Sequence, residues 1–160
     1  ADETLEVHTI LQEPFVAVLP KGQAVQPFSP DLPLILYSTR HHMGGQIADA
    51  LVRHSQRPVH RFELDSYHSI MAMVAAGAGW TILTPLAVLH AARFRDSVIL
   101  QPLPMLALSR RITLSARRDV LGQMPGEIAQ RLRLLLDEMI VRPVLTDHPW
   151  LAEGLRVVRP

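Results

Sequence analysis

The polar run STRHHM at residues 38–43 contains the densest group of side chains that could do chemistry. It follows the apolar run LILY and precedes a helical pattern, so it falls where a strand gives way to a helix. Hydroxyl groups at such a junction can cap the helix and can bind a carboxylate together with unpaired backbone N–H groups. The residues of this run that we expect to contact a ligand are Ser38, Thr39, Arg40, His41, His42 and Met43.

Two further polar positions, Asp65–Ser66 and Thr84, follow runs that have the pattern of strands. If these strands are parallel, their carboxyl ends meet at one edge of the sheet, which is where ligands collect. We therefore expect both positions to lie beside Ser38 and Thr39, with an anionic group nearer Thr39 because Asp65 is itself negative. Helix capping is the alternative role for the hydroxyls, and a solvent-facing loop is the alternative for the charged and histidine side chains.

Histidines at positions 41, 42, 60 and 68 raise the question of a metal site. No pair of them has the close helical spacing of a zinc motif, and Asp65, three residues before His68, is a weak second ligand. The chain has no cysteine, which excludes disulfides and Cys-ligated metals and fits a reducing compartment. We expect neither a metal nor another cofactor.

An enzyme of the hydrolase type would combine Ser38 or Ser66 with a histidine and Asp65. Neither serine lies in a Gly-x-Ser-x-Gly turn, and the run MGGQ lacks the lysine and the spacing of a phosphate-binding loop. The sequence therefore predicts a binding protein that is not an enzyme.

An uncharged stretch, residues 66–92, is long enough to cross a bilayer. Glycines at 77 and 79 and a proline at 85 divide it into three short pieces, whereas a membrane span is a continuous helix. The pattern predicts a helix capped by Asp65 or Ser66, a buried strand over 80–84, and a second helix over about 85–94.

Elsewhere in the chain, strand patterns alternate with helical ones. Strands are predicted at 13–20, 34–37, 59–64, 97–103 and 110–119. Helices are predicted after the loop STRHHMGG at residues 38–45 and from Pro125 onward. This order favours an α/β fold with a parallel or mixed sheet flanked by helices. The last helix has an apolar face that needs a partner surface, and residues 142–160 show no pattern.

The length and charge of the chain limit the class of protein. At 160 residues and 48% hydrophobic, it can form one domain with a substantial core. A net charge of +1 does not indicate the excess of basic residues that is typical of proteins that bind nucleic acid. The acidic start has no apolar signal core, and because the first residue is not Met we expect a fragment or a processed chain.

Three stretches occur in an order that is typical of one known family. They are ILQEPFVAVLPKG (10–22), PLILYSTRHH (33–42) and FELDSYHSIMAMVAAGAGWTILTP (62–85). The third is the most specific, because a strand, a polar pair, a helix ending in Val-Ala-Ala-Gly-x-Gly and an apolar strand ending in proline follow one another. Over about residues 5–141, the chain resembles the effector-binding domain of LysR-type transcriptional regulators, which has a type 2 periplasmic-binding fold.

The resemblance implies a division into two effector subdomains. Residues 13–110 would form the second subdomain, while residues 1–12 and 111–141 would supply hinge strands and the C-terminal part of the first. Residues 142–160 would be a C-terminal tail. The family's DNA-binding region and the first part of its first subdomain have no counterpart in this pattern.

The resemblance also implies a function. The domain would bind a small anionic metabolite in the cleft between its subdomains and transmit the signal to DNA-binding heads of a bacterial, cytoplasmic transcription factor without membrane contact. It would form a homodimer or a higher homo-oligomer, with an exposed apolar stripe on the helix from about Gln46 to His54. The alternative is a solute-binding protein or a small α/β enzyme of the same general fold.

Overall fold

The computed structural model describes residues 4–54, 61–104 and 106–160. The chain forms two compact units: a larger unit, Phe15–Leu108, and a smaller unit that combines Ala1–Pro14 with Ser109–Pro160. The larger unit has nearly the bounds given above for the second effector subdomain, and the assignment of the two units as effector subdomains stays a prediction. The last nineteen residues, 142–160, belong to the smaller unit.

Eight strands and five α-helices make up the described residues. In chain order the strands are β1 (Leu5–Pro14), β2 (Val16–Pro20), β3 (Leu34–Tyr37), β4 (Arg61–Leu64), β5 (Trp80–Leu83), β6 (Val98–Pro102), β7 (Ser109–Arg117) and β8 (Arg156–Val157). The helices are α1 (His42–Arg53), α2 (Tyr67–Ala75), α3 (Pro85–His90), α4 (Met124–Leu136) and α5 (Arg142–Asp147). A π-helical segment, Asp137–Val141, joins α4 to α5, and 3-10 helices lie at Ala92–Ser97 and Pro149–Leu151.

The larger unit is built on a five-stranded mixed sheet in the order β4-β3-β5-β2-β6. β3 runs parallel to β4 and β5, whereas β2 runs antiparallel to β5 and β6. The apolar runs that predicted β2 and β5 are buried along their whole length, and α1 and α2 pack against the sheet. The predicted α/β fold with a mixed sheet and flanking helices is therefore confirmed.

The uncharged stretch folds as predicted, into helix, strand and helix. α2 ends where Gly77 adopts a φ of +80°, a left-handed conformation that glycine takes without steric cost. At Gly79 an added Cβ would lie 2.6 Å from Ile35 Cδ1, so β5 begins in close approach to its neighbour β3. Across the described parts of the chain, no helix is long and apolar enough to span a membrane.

Several predicted element bounds differ from those observed. The strand predicted over 13–20 is divided, because β1 ends at Pro14 and β2, which begins at Val16, belongs to the other sheet. Helix α1 begins at His42, inside the loop predicted over 38–45. The strands predicted over 80–84, 97–103 and 110–119 are observed at Trp80–Leu83, Val98–Pro102 and Ser109–Arg117. α3 begins at Pro85 as expected but ends at His90, because Ala91 leaves the helical conformation and a 3-10 helix follows. β4 begins at Arg61, and positions 59 and 60 of the predicted strand lie outside the described residues.

The smaller unit is a three-stranded antiparallel sheet, β7-β1-β8, with α4 packed against β1 and β7. A β-bulge in β1 interrupts the register between Thr9 and Leu11. The almost fully buried Arg133 of α4 donates from Nε and Nη2 to the Thr9 carbonyl oxygen, at 3.2 and 2.8 Å. The buried arginine is thereby hydrogen-bonded where the strand is irregular.

A buried ion pair links the two long strands of this unit. Glu13 of β1 and Arg110 of β7 are cross-strand partners, and the arginine Nε lies 2.6 Å from Glu13 Oε1. The Glu13 side chain is 0% exposed, whereas that of Arg110 is 22% exposed. The arginine can thus reach water and the carboxylate cannot.

Helix α4 leaves much of its apolar face exposed. Pro125 and Ala129 are buried against the sheet, but Ile128, Leu135 and Met139 on the predicted apolar face are 42%, 51% and 65% exposed. β7 has a similarly open side, because no strand among the described residues pairs with its edge away from β1. Large exposed apolar areas of this kind are typical of surfaces that another element covers.

Candidate functional site

The carboxyl ends of three strands meet at one edge of the larger sheet. Tyr37 of β3 pairs with Leu64 of β4, and Ile35 pairs with Thr81 of β5 in parallel register. The backbone N–H of Ser38 continues this ladder by donating to the Leu64 carbonyl oxygen at 2.9 Å. The polar positions that follow β3, β4 and β5 therefore lie along one edge, as predicted, and their contact with a ligand stays a prediction.

The β3–α1 loop, residues 38–41, is held by hydrogen bonds from its own backbone. The Arg40 N–H donates to Ser38 Oγ at 3.3 Å, and the His41 N–H donates to the Ser38 carbonyl oxygen at 3.0 Å. The Thr39 N–H donates outside the loop, to Glu63 Oε1 at 3.1 Å. The carboxylate of a β4 side chain is therefore already the hydrogen-bond acceptor for one backbone N–H of the loop.

The exposed side chains of this edge carry charges of both signs. Thr39, Arg40, His41 and His42 are exposed, whereas Ser38 is 8% exposed. His41 Nε2 lies 3.7 Å from Asp65 Oδ1, a contact that becomes an ion pair when the histidine is protonated.

Besides Ser38, two of the predicted ligand residues are buried in this conformation. Met43 is 4% exposed, because it lies on the same inward stripe of α1 as Ile47 and Leu51. Thr84 is 0% exposed, and its Oγ1 accepts the Ala87 N–H as the N-cap of α3. The structure therefore places Met43 in the core and gives Thr84 a capping position, and the contact of both residues with a ligand stays a prediction.

Ser66 also caps a helix, because its Oγ accepts the Ser69 N–H at the start of α2. The capping alternative that the sequence left open is thus realised at Ser66. This hydroxyl remains only partly buried and lies next to the exposed Asp65.

A chain of five aromatic rings crosses the same edge, and no pattern in the sequence predicted it. Centroid distances are 4.5 Å for the stacked pair Tyr37 and His41, 4.6 Å for Tyr37 and Tyr67, 6.2 Å for Tyr67 and His90, and 5.8 Å for His68 and His90. We refer to these five side chains as the ring cluster. They come from three separate segments, so no local spacing could reveal them.

The close packing at Gly44 is another feature that was not predicted from the sequence. A Cβ at this position would overlap the carbonyl oxygens of Tyr37 and Ser38, whereas a Cβ at Gly45 would meet only the Thr39 carbonyl oxygen, at 3.9 Å. The first turn of α1 therefore packs directly on the backbone of the loop. The sequence signal for this close approach is the pair of adjacent glycines in the run MGGQ at the start of the helix.

No group of three His, Asp or Glu side chains that could hold a metal ion occurs within residues 4–54, 61–104 and 106–160. His60, one of the four histidines considered for such a site, lies outside these ranges.

The outer face of α1 was the predicted surface for self-association. Ile47 and Leu51 of its apolar stripe are buried in the core of the larger unit. The outward side instead carries Val52, which is 77% exposed. A groove of about 400 Å³ on this side is lined by Gln46, Asp49, Val52, Arg53 and Leu108.

Known regulatory domains share this fold. The regulatory domain of reduced OxyR2 from Vibrio vulnificus is 23% identical, with a TM-score of 0.65 over 85% of this chain and 68% of that chain. The regulatory domain of HypT from Salmonella typhimurium in its apo form is 17% identical, with a TM-score of 0.63 over 86% and 68%. Reduced OxyR from N. meningitidis is 17% identical, with a TM-score of 0.66 over 99% and 70%.

Two similar structures contain inorganic anions: a mutant OxyR2 regulatory domain with sulfate, at a TM-score of 0.63, and the HypT regulatory domain with bromide, at 0.64. A comparison with curated protein sequences found no match. The model of the LysR substrate binding domain family matches residues 1–140, which is most of the chain. The chain therefore belongs to the LysR substrate-binding domain family, whose members are regulatory domains of transcription factors and not enzymes.

Proposed function

We propose that this chain senses a small anionic metabolite for a LysR-type regulator, and that the metabolite binds at the carboxyl edge of the five-stranded sheet. The observation that carries the proposal is the parallel register of β3, β4 and β5, which brings Ser38, Thr39, Asp65 and Ser66 to one edge. The exposed Arg40 supplies a positive charge there, and His41 and His42 add side chains that can become positive.

The relatives support an anionic ligand. Sulfate and bromide occur in regulatory domains of OxyR2 and HypT that share the fold. Two of the related structures are described as reduced forms, whereas this chain has no cysteine that could be oxidised to a disulfide. Reversible binding is therefore the sensing mode that fits these 160 residues.

The regulator would act as a cytoplasmic homodimer or higher homo-oligomer, with DNA contacted only by a domain outside residues 1–160. The outer face of α1 supports self-association, because Val52 is exposed there between Asp49 and Arg53. In a twofold pairing of this face, the acid of one copy can meet the arginine of the other. Light scattering at increasing protein concentration measures this association, and a monomer throughout would contradict it.

The test of ligand binding starts with a thermal-shift screen of small carboxylates and, for contrast, small amines. We expect a carboxylate to raise the melting temperature and Thr39→Val to weaken its binding about three- to tenfold, the usual effect of losing one exposed hydrogen bond. Calorimetric titration measures both affinities. Thr113→Val is the matched control, because Thr113 is an exposed threonine on β7 in the smaller unit. An amine that binds better than every carboxylate, or equal affinities for the wild type and Thr39→Val, would contradict the proposal.

A further inference from the structure

The acidic side chain at the edge of the candidate site lies where a ligand anion would be expected. Glu63 belongs to β4, opposite Leu36 of β3, and its carboxylate accepts the N–H of Thr39 at 3.1 Å. Both Glu63 and Thr39 are exposed, so burial does not force this contact. We propose that Glu63 is a built-in competitor of the anionic effector for the β3–α1 loop, an inference that rests on the function proposed above.

The competition follows from the chemistry of the donor. A hydrogen bond from a backbone N–H to a carboxylate is charge-assisted, and one N–H does not donate two such bonds at full strength. A second anion at the loop would also be repelled by Glu63 and by Asp65, which lies 3.7 Å from the His41 ring nitrogen. An effector carboxylate that binds Thr39 therefore displaces the Glu63 carboxylate, which turns into solvent.

The displacement has a structural consequence for the sheet edge. The Thr39–Glu63 hydrogen bond connects the loop after β3 to the outermost strand, β4. Binding of the effector breaks this tie and replaces it with a contact between the loop and the ligand. Glu63 thus lowers the affinity for anions and couples their binding to a change in how the loop is held.

The experiment follows the Thr39 amide by nuclear magnetic resonance in the 160-residue chain. Sodium acetate and sodium sulfate are titrated at constant ionic strength into the wild type, Glu63→Gln and the control Asp96→Asn. Asp96 is an exposed acid that precedes β6, and the start of β6 pairs with Pro20 at the opposite edge of the sheet. We expect anion binding to be about three- to tenfold tighter in Glu63→Gln, because the competing hydrogen bond loses its charge assistance and the anion is no longer repelled by Glu63, and unchanged in Asp96→Asn.

A second measurement needs no added anion. The position of the Thr39 amide signal is compared between the wild type and Glu63→Ala, whose side chain cannot accept a hydrogen bond. The signal should move when the acceptor is removed, and a Thr39 signal at the same position in both forms would overturn the proposed contact.

The possible outcomes separate the two proposals. Saturable shifts with equal affinities in the wild type and Glu63→Gln, or weaker binding in Glu63→Gln, would overturn the competition and leave the anionic site standing. No saturable shift at Thr39 on anion titration in any form, although Glu63→Ala moves the Thr39 signal, would overturn the anionic site at this loop and the competition with it.

Discussion

Replacing Gly44 with alanine tests whether α1 packs directly on the β3–α1 loop. The added methyl group would overlap the carbonyl oxygens of Tyr37 and Ser38, which belong to the backbone and cannot rotate away. Relieving such an overlap costs about 1–3 kcal/mol even when side chains can adjust, and backbone obstacles belong at the upper end. Alanine recovers up to about 1 kcal/mol of helix propensity relative to glycine. The net loss of unfolding free energy for Gly44→Ala is therefore about 2 kcal/mol or more.

The adjacent glycine provides the matched control. At Gly45 the added methyl group meets only the Thr39 carbonyl oxygen, at an ordinary 3.9 Å, so the helix propensity gain is not offset. We expect Gly45→Ala to stabilise the larger unit by about 0.5–1 kcal/mol. The two neighbouring substitutions should thus have effects of opposite sign.

Urea unfolding followed by tryptophan fluorescence measures both effects. Trp80 is buried in β5 of the larger unit, and Trp150 lies in the smaller unit, so a Trp150→Phe background isolates the larger unit. The difference in midpoint at unchanged slope gives the change in unfolding free energy. A Gly44→Ala variant as stable as its parent, or a Gly45→Ala variant that loses as much stability, would refute the proposed packing of α1 on the loop.

Two further predictions concern the smaller unit. Arg110→Met should lower the unfolding free energy by about 3–5 kcal/mol, because it leaves the fully buried Glu13 carboxylate without this cation. Glu13→Gln should lower the unfolding free energy by only about 1–2 kcal/mol, because the partly exposed arginine can reach water. Urea unfolding of both variants measures the difference, and equal losses would contradict the asymmetry. The 160-residue chain should also bind a hydrophobic fluorescent dye through the exposed face of α4, and Leu135→Lys should reduce that fluorescence while Val52→Lys, on the larger unit, should not. A chain that binds no dye would show that the α4 face is covered in solution.

Much of the fold could be predicted because the signals are local. Gly77 and Pro85 divide an apolar stretch at the residues where α2 ends and α3 begins, and each conformation follows from the residue type. The position of the candidate site was predictable for a more general reason. Residues that follow parallel strands must share an edge, so Ser38 and Asp65 are neighbours although they are distant in sequence.

The missed features depend on contacts between distant segments. Tyr37, Tyr67 and His90 meet in the ring cluster only because three separate segments converge. Met43 lies four and eight residues before Ile47 and Leu51, so its inward position follows the helical period, but only for a helix that begins at His42. The helix was predicted to begin later, and Met43 was therefore placed in the loop. The short β8, two residues that pair with β1, is below the length at which alternation can be recognised.

The open edge of β7 affects how the isolated chain behaves during handling. An unpaired edge of nine residues is a ready-made template for a strand from another molecule, which is the usual first step toward aggregation. Besides Arg110, which is paired with Glu13, arginines at positions 111 and 117 lie along this strand, and their charges make two copies of the edge repel each other. Salt screens that repulsion, since the Debye length falls from about 30 Å at 0.01 M to about 10 Å at 0.1 M. Storage at low ionic strength should therefore keep the chain dispersed, and added salt should shorten its shelf life.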